Sequence, residues 1–157
     1  MGTGHLSRCL AFARRLRDEG DRVLLLVSPE TASWLGKQRE TGLNCAIIPS
    51  GKGVEDSGSS KWLPCGWLHD AESCHKLLNQ VVDWLVVDHY GLDHRWQGKM
   101  RARARRILAI DDLADRRHDC DILLDQNIRA GTAYADLVPT DAIRLLGPHY
   151  ALIRPEF

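Results

Sequence analysis

The chain has 157 residues, 44% of them hydrophobic and 27% charged, and its 21 basic and 21 acidic side chains cancel to a formal net charge of zero. That is one domain's length of ordinary globular composition, which excludes the disordered and fibrous classes. Balanced charge gives no overall field toward nucleic acid or an anionic membrane, and no apolar run is long enough to span a bilayer. With no signal-peptide pattern at the N-terminus, the expected location is the cytoplasm.

The chain opens on a glycine turn, "GTGH", from Gly2 to His5. Leu6, Cys9, Leu10, Ala13 and Leu16 then recur at helical spacing, with arginines on the other face and Gly20 ending the helix. "RVLLLV" reads as a buried strand. Ser28 before Pro29 is an N-cap with proline at the first helical position, opening a helix toward Gly42, and "CAIIP" is a second strand. Ser50 to Lys61 is a loop by composition. Asp70 is expected to cap a helix carrying Cys74, Leu77, Leu78 and Val81 on one stripe. "DWLVVD" is a third strand, Asp93 opens another helix, and "RILAID", "DILLD" and "AIRLLG" complete six strands. The basic run from Arg95 to Arg106 reads as the solvated face of a helix.

These strands are continuous apolar runs, most of them separated by helical patterns, which predicts a doubly wound α/β fold with a mainly parallel sheet. The five cysteines form no CxxC pair and are odd in number, which speaks against a zinc site or a disulfide framework. Cys74 beside His75 has a metal-like look, but its place on an apolar stripe makes it a buried thiol.

Ligands of such sheets bind beyond the carboxyl ends of the strands, and the residues there are polar: Asp88, His89 and Tyr90, then Asp111 and Asp112, then Asp125, Gln126 and Asn127. If the glycine turn also follows a strand, Gly2, Gly4 and His5 join that rim, with the helix N-terminus facing an anionic ligand. Histidine is the residue type best suited to taking a proton from water near neutral pH, so His5 is the candidate base; the other reading is a helix-terminal residue without catalytic duty. Arg8, one turn on, is either an anion partner or a surface arginine. Tyr90 is a sugar or phosphate contact or a half-buried packing residue. Asp111 and Asp112 are a base or metal pair, or carboxylates neutralised by Arg116 and Arg117. Asn127 binds substrate or satisfies a strand end. His69, His75, His94, His118 and His149 have no telling partner pattern and read as ordinary polar residues.

Four blocks, "GTGHLSRCLAFARRL", "DWLVVDHYGLD", "ILAIDDLADRRHDCDILLDQN" and "LLGPHYALIRPEF", resemble in order the N-terminal half of the UDP-sugar hydrolases of pseudaminic acid biosynthesis. Ser50 to Leu68 carries none of the resemblance. It implies the Rossmann-like half of a glycosyltransferase-B type enzyme with a cleft between two domains. The implied reaction is hydrolysis of UDP-2,4-diacetamido-2,4,6-trideoxy-β-L-altropyranose to the free sugar and UDP, with no metal or other cofactor. His5 matches the catalytic histidine that activates water at the anomeric carbon with inversion, and Tyr90 a tyrosine that shapes the site. Gly2, Gly4, Arg8, Asp88 and Asn127 are the accompanying candidates for substrate binding.

In the family a strand leads into the glycine turn, and Met1 stands where it would end, so the sheet is expected to lack its first strand. The glycine-rich UDP-binding loop of the second domain is not in this sequence. Residues 1–157 are thus expected to be a single histidine-bearing domain, a fragment with little activity until the C-terminal domain packs across its cleft. Two rival expectations stand beside it: a glycosyltransferase domain that admits an acceptor in place of water, and a non-catalytic sugar-binding module.

Overall fold

The computed structural model describes residues 3–37, 42–51 and 62–152. Its elements in chain order are α1 (Thr3–Asp18), β1 (Leu24–Val27), α2 (Pro29–Lys37), β2 (Asn44–Ile47), α3 (Trp67–Leu77), β3 (Val82–Val87), α4 (His94–Met100), β4 (Ala104–Ile110), β5 (Ile122–Asp125) and β6 (Ile143–Leu146), followed by a 3₁₀ turn at Pro148–Tyr150. The α/β class and the parallel strands agree with the sequence. All strand pairs are parallel, but they form two sheets: β1 with β2, and β3-β4-β5-β6 in that spatial order.

The main core lies on the four-stranded sheet. Ile107 of β4 and Leu123 of β5 are fully buried and pack with Ala71 and Cys74 of α3 and Trp96 and Met100 of α4. No α-helix separates β4 from β5 or β5 from β6 among the described residues. The turns between β5 and β6 do a helix's work there, sending Tyr134 into the core with Ala133, Leu137 and Val138 against it. A second, smaller cluster joins Leu10 of α1, Val27 of β1 and Leu35 of α2.

Apolar surface remains open where the two sheets end. Leu24 of β1 is 43% exposed and Trp84 of β3 likewise 43%. Both strands are all or mostly apolar, a pattern suited to burial on both faces, and among the described residues each has one ladder edge without a strand beside it.

Three sequence expectations are corrected. Helix α3 begins at Trp67 after Gly66, whose φ of 73° favours glycine, so Asp70 does not cap it. Asp70 lies in the first turn instead, buried, and accepts from Trp96 Nε1 at 2.8 Å. Val81 falls beyond the helix and is 51% exposed, because the chain leaves the helix at Leu77 to enter β3. The basic run is no single helix face: Arg95 is on α4, whereas Arg105 and Arg106 are on β4. The expected caps at Ser28 and Asp93 do form, Ser28 Oγ accepting from Thr31 N and Asp93 from Arg95 N.

Candidate functional site

The carboxyl ends of the strands converge on one cavity of about 410 Å³. Tyr90 reaches it from beyond β3, Asp112 from beyond β4, Gln126 from beyond β5 and Leu152 from beyond β6, while Gly4, His5, Ser7 and Arg8 line it from the first turns of α1. This is the rim on which parallel sheets place their ligands, with the helix N-terminus bordering the same space.

Asp88, one residue past β3, organises this corner. Its side chain is 1% exposed and receives His5 Nδ1 on Oδ1 at 2.6 Å, Arg8 Nη2 on Oδ1 at 2.6 Å and Arg8 Nε on Oδ2 at 2.6 Å. The Cys9 thiol adds a contact to Oδ2 at 3.3 Å. So short a nitrogen to carboxylate approach requires the proton on Nδ1, since two bare acceptors at that distance repel. Nε2 is then the imidazole's proton acceptor. Arg8 Nη2 also stands 3.0 Å from Nδ1, and with that nitrogen donating to Asp88 the contact is a near approach of two donors to one carboxylate.

Burial alone would push the Asp88 carboxyl up, but the bonds from Arg8 and His5 outweigh it and hold Asp88 below the usual carboxylate range. The same pairing raises Arg8 against the burial that would lower it. Burial, with Asp88 alongside, pushes the Cys9 thiol upward, so it is no nucleophile. His89 is lowered to about 4, first by burial and then by the neighbouring His5 and the Arg116 guanidinium, and its Nδ1 accepts from Gly91 N at 3.0 Å.

Tyr90 stands edge-on to His5, ring centroids 4.5 Å apart at 89°. Its phenol is pushed up to about 12, first by burial and then by the neighbouring Asp112 carboxylate, so it remains a neutral hydroxyl. Asp112 also takes Arg8 Nη1 on Oδ2 at 3.3 Å.

Beneath the rim lies a polar network of which the sequence offered one pairing, Asp111 neutralised by Arg116. Asp111 and Asp125, both with 0% exposed side chains, share the hydroxyl of fully buried Tyr134, at 3.0 and 2.9 Å. Arg116 pairs with Asp111 at 2.8 Å, and Arg129 with Asp125. Burial would raise Asp111, but His118, Arg116 and the Ala114 N–H together hold it well below the ordinary range. His118 is therefore no ordinary polar residue: it is 4% exposed, with Nδ1 on Gln97 Nε2 at 3.1 Å. No local pattern announces Tyr134, which sits among turns.

Of the residues picked out by sequence, Gly4, His5, Arg8, Tyr90 and Asp88 meet here, whereas Gly2 lies outside the described residues. Arg8 is 8% exposed and bound within the protein, so it is not a surface arginine. Asn127 turns back on Asp125 Oδ1 through both its N–H and its amide nitrogen, at 2.9 and 3.0 Å, and Gln126 takes the place on the cavity wall. All five cysteines are free. Among the described residues, no helix is long and apolar enough to cross a membrane.

The chain is 36% identical over 93 residues, 55% of its length, to the UDP-2,4-diacetamido-2,4,6-trideoxy-beta-L-altropyranose hydrolase of Campylobacter jejuni. The match covers 34% of that protein, so the chain spans about a third of the curated relative. No protein-family model matches the chain. The chain is thus similar, over part of its length, to a protein named as a UDP-sugar hydrolase.

Proposed function

We propose that this chain is the histidine-bearing domain of a UDP-sugar hydrolase acting on UDP-2,4-diacetamido-2,4,6-trideoxy-β-L-altropyranose or a close congener. The observation that carries the reading is the His5 to Asp88 contact of 2.6 Å at the cavity wall, which leaves Nε2 to accept a proton. In this mechanism a water oxygen attacks the anomeric carbon as the bond from that carbon to the diphosphate oxygen breaks, and the electron pair leaves on UDP. His5 Nε2 takes the water proton, and Asp88 stabilises the resulting imidazolium. UDP is a good leaving group, so positioning, one base and a partner for the departing charge suffice. The products are the free sugar, inverted at the anomeric carbon, and UDP.

A second domain supplying the UDP pocket belongs to this reading, as does one further parallel strand between β1 and β3. The split of the sheet and the half-exposed apolar edges of those two strands support the latter. This chain alone is then weakly active at best. UDP release by the two-domain enzyme tests the proposal: His5→Ala is expected to lower kcat by about 10²–10⁴. Undiminished turnover by that variant overturns the role of His5, and glycoside formed from an added alcohol in place of free sugar would point to a transferase.

A further inference from the structure

The loop after β4 reaches across to the loop after β3 and grips it with one side chain. Arg116, 14% exposed, pairs with fully buried Asp111 at 2.8 Å. Its Nε donates to Leu92 O at 3.2 Å and its Nη2 to His89 O at 3.4 Å, while Nη1 donates to Asp115 Oδ1 at 2.9 Å. The two carbonyls stand on either side of Tyr90 in the chain, and the guanidinium carbon lies 6.0 Å from the centre of the Tyr90 ring. The next residue adds a bond in the reverse direction, Arg117 O accepting from His94 N at 2.9 Å. The gripping loop is itself held in an unusual shape. Ala114 has a φ of 54°, the one positive φ outside glycine among the described residues, and its N–H donates to Asp111 Oδ2 at 2.9 Å. A residue with a Cβ keeps that conformation where its surroundings impose it, and such positions gather at functional sites.

What this grip holds in place bears on the candidate base. The hydrogen bond to Asp88 fixes His5 Nδ1 but leaves the imidazole able to tilt about that contact, and with it the direction of Nε2. Tyr90, set at 89° to the imidazole with centroids 4.5 Å apart, restricts that tilt. We infer that Arg116 is a positioning residue of the site: it holds Tyr90 against His5 and so keeps Nε2 aimed into the cavity. Arginine suits the task because its planar fork of donors spans two carbonyls and a carboxylate at once, which the single ammonium of lysine does not. The inference rests on the hydrolase reading for what His5 does there, and deepens it by naming a residue outside the cavity wall on which the aim of the base depends.

The test separates holding from folding with Arg116→Lys, which keeps a positive charge opposite Asp111 but gives up the fork. In the 157-residue chain, NMR cross-peaks between the carbon-bound ring protons of Tyr90 and His5 are expected, and Arg116→Lys is expected to lose them. Arg101→Lys is the control: it breaks a similar fork, between Asp119 and Asp121, that makes no bond to the loop after β3, and is expected to keep the cross-peaks. An amide spectrum confirms that each variant is folded. In the two-domain enzyme Arg116→Lys is expected to lower kcat about 10- to 100-fold and to leave KM within about twofold, since the base is misaimed and not removed. Cross-peaks that are absent from the original chain, survive in Arg116→Lys or vanish equally in Arg101→Lys overturn the inference. Cross-peaks that depend on Arg116, without UDP release by the two-domain enzyme, sink the hydrolase reading and leave the clamp standing. UDP release with a kcat indifferent to Arg116→Lys does the reverse.

Discussion

The β1–β2 sheet and the four-stranded sheet start from the same kind of sequence and end in different states. "LLLV" in β1 and "ILLD" in β5 are both apolar runs, yet Leu24 of β1 is 43% exposed while Leu123 of β5 is 0%. The difference is neighbours. Strand β5 has β4 on one side and β6 on the other, whereas among the described residues β1 pairs only with β2. The C-terminal sheet also has a charge-balanced polar network under its rim, with Tyr134 between Asp111 and Asp125. The N-terminal layer has a small apolar cluster on Leu10, Val27 and Leu35, and reaches the rest of the site through the Arg8 and His5 bonds to Asp88.

Removing that link is the strongest way to break the comparison. Asp88→Ala leaves the Arg8 guanidinium, 8% exposed, without its main partner, and is expected to cost about 3–5 kcal/mol, with α1 loosened first. Urea unfolding gives the cost, and hydrogen exchange along α1 locates it. Core truncation sharpens the contrast: Leu123→Ala is expected to cost about 2–5 kcal/mol and Leu24→Ala under about 1 kcal/mol by the same unfolding measurement. Equal costs would mean that β1 is buried by something as well packed as the four-stranded sheet.

The smallest effect concerns the seam between the two regions. The His89 value is about 4 in the folded chain against an ordinary value of 6.5, so its contribution to stability is complete above about pH 6.5 and is lost as the pH falls toward 4. The sign follows because the unfolded chain binds that proton first. After solvent screening the loss is on the order of 2 kcal/mol, and His89→Gln is expected to flatten the fall in denaturation midpoint across that window.

Much of this was legible in the residues. Unbroken apolar runs gave the parallel strands, and Ser28 and Asp93 gave their helix starts, because those signals are local. Asp70 misled for the same reason: an aspartate early in a helix looks alike whether it caps the backbone or, as here, turns inward to the Trp96 indole. His5 and Asp88 were each marked by position, but their bond joins residues 83 apart in sequence, and only the packing of α1 onto β3 could reveal it. Tyr134 and His118 were missed because their role depends on carboxylates brought from other strand ends.

One carboxylate seats a helix and also steers an imidazole. Any agent that unlatches α1, whether mild heat or dilute denaturant, would let the ring turn away from Asp88 and the cavity while the four-stranded sheet still holds. In the two-domain enzyme proposed above, loss of turnover should therefore precede loss of fold, and the gap between the two transitions reports how firmly that corner is fastened.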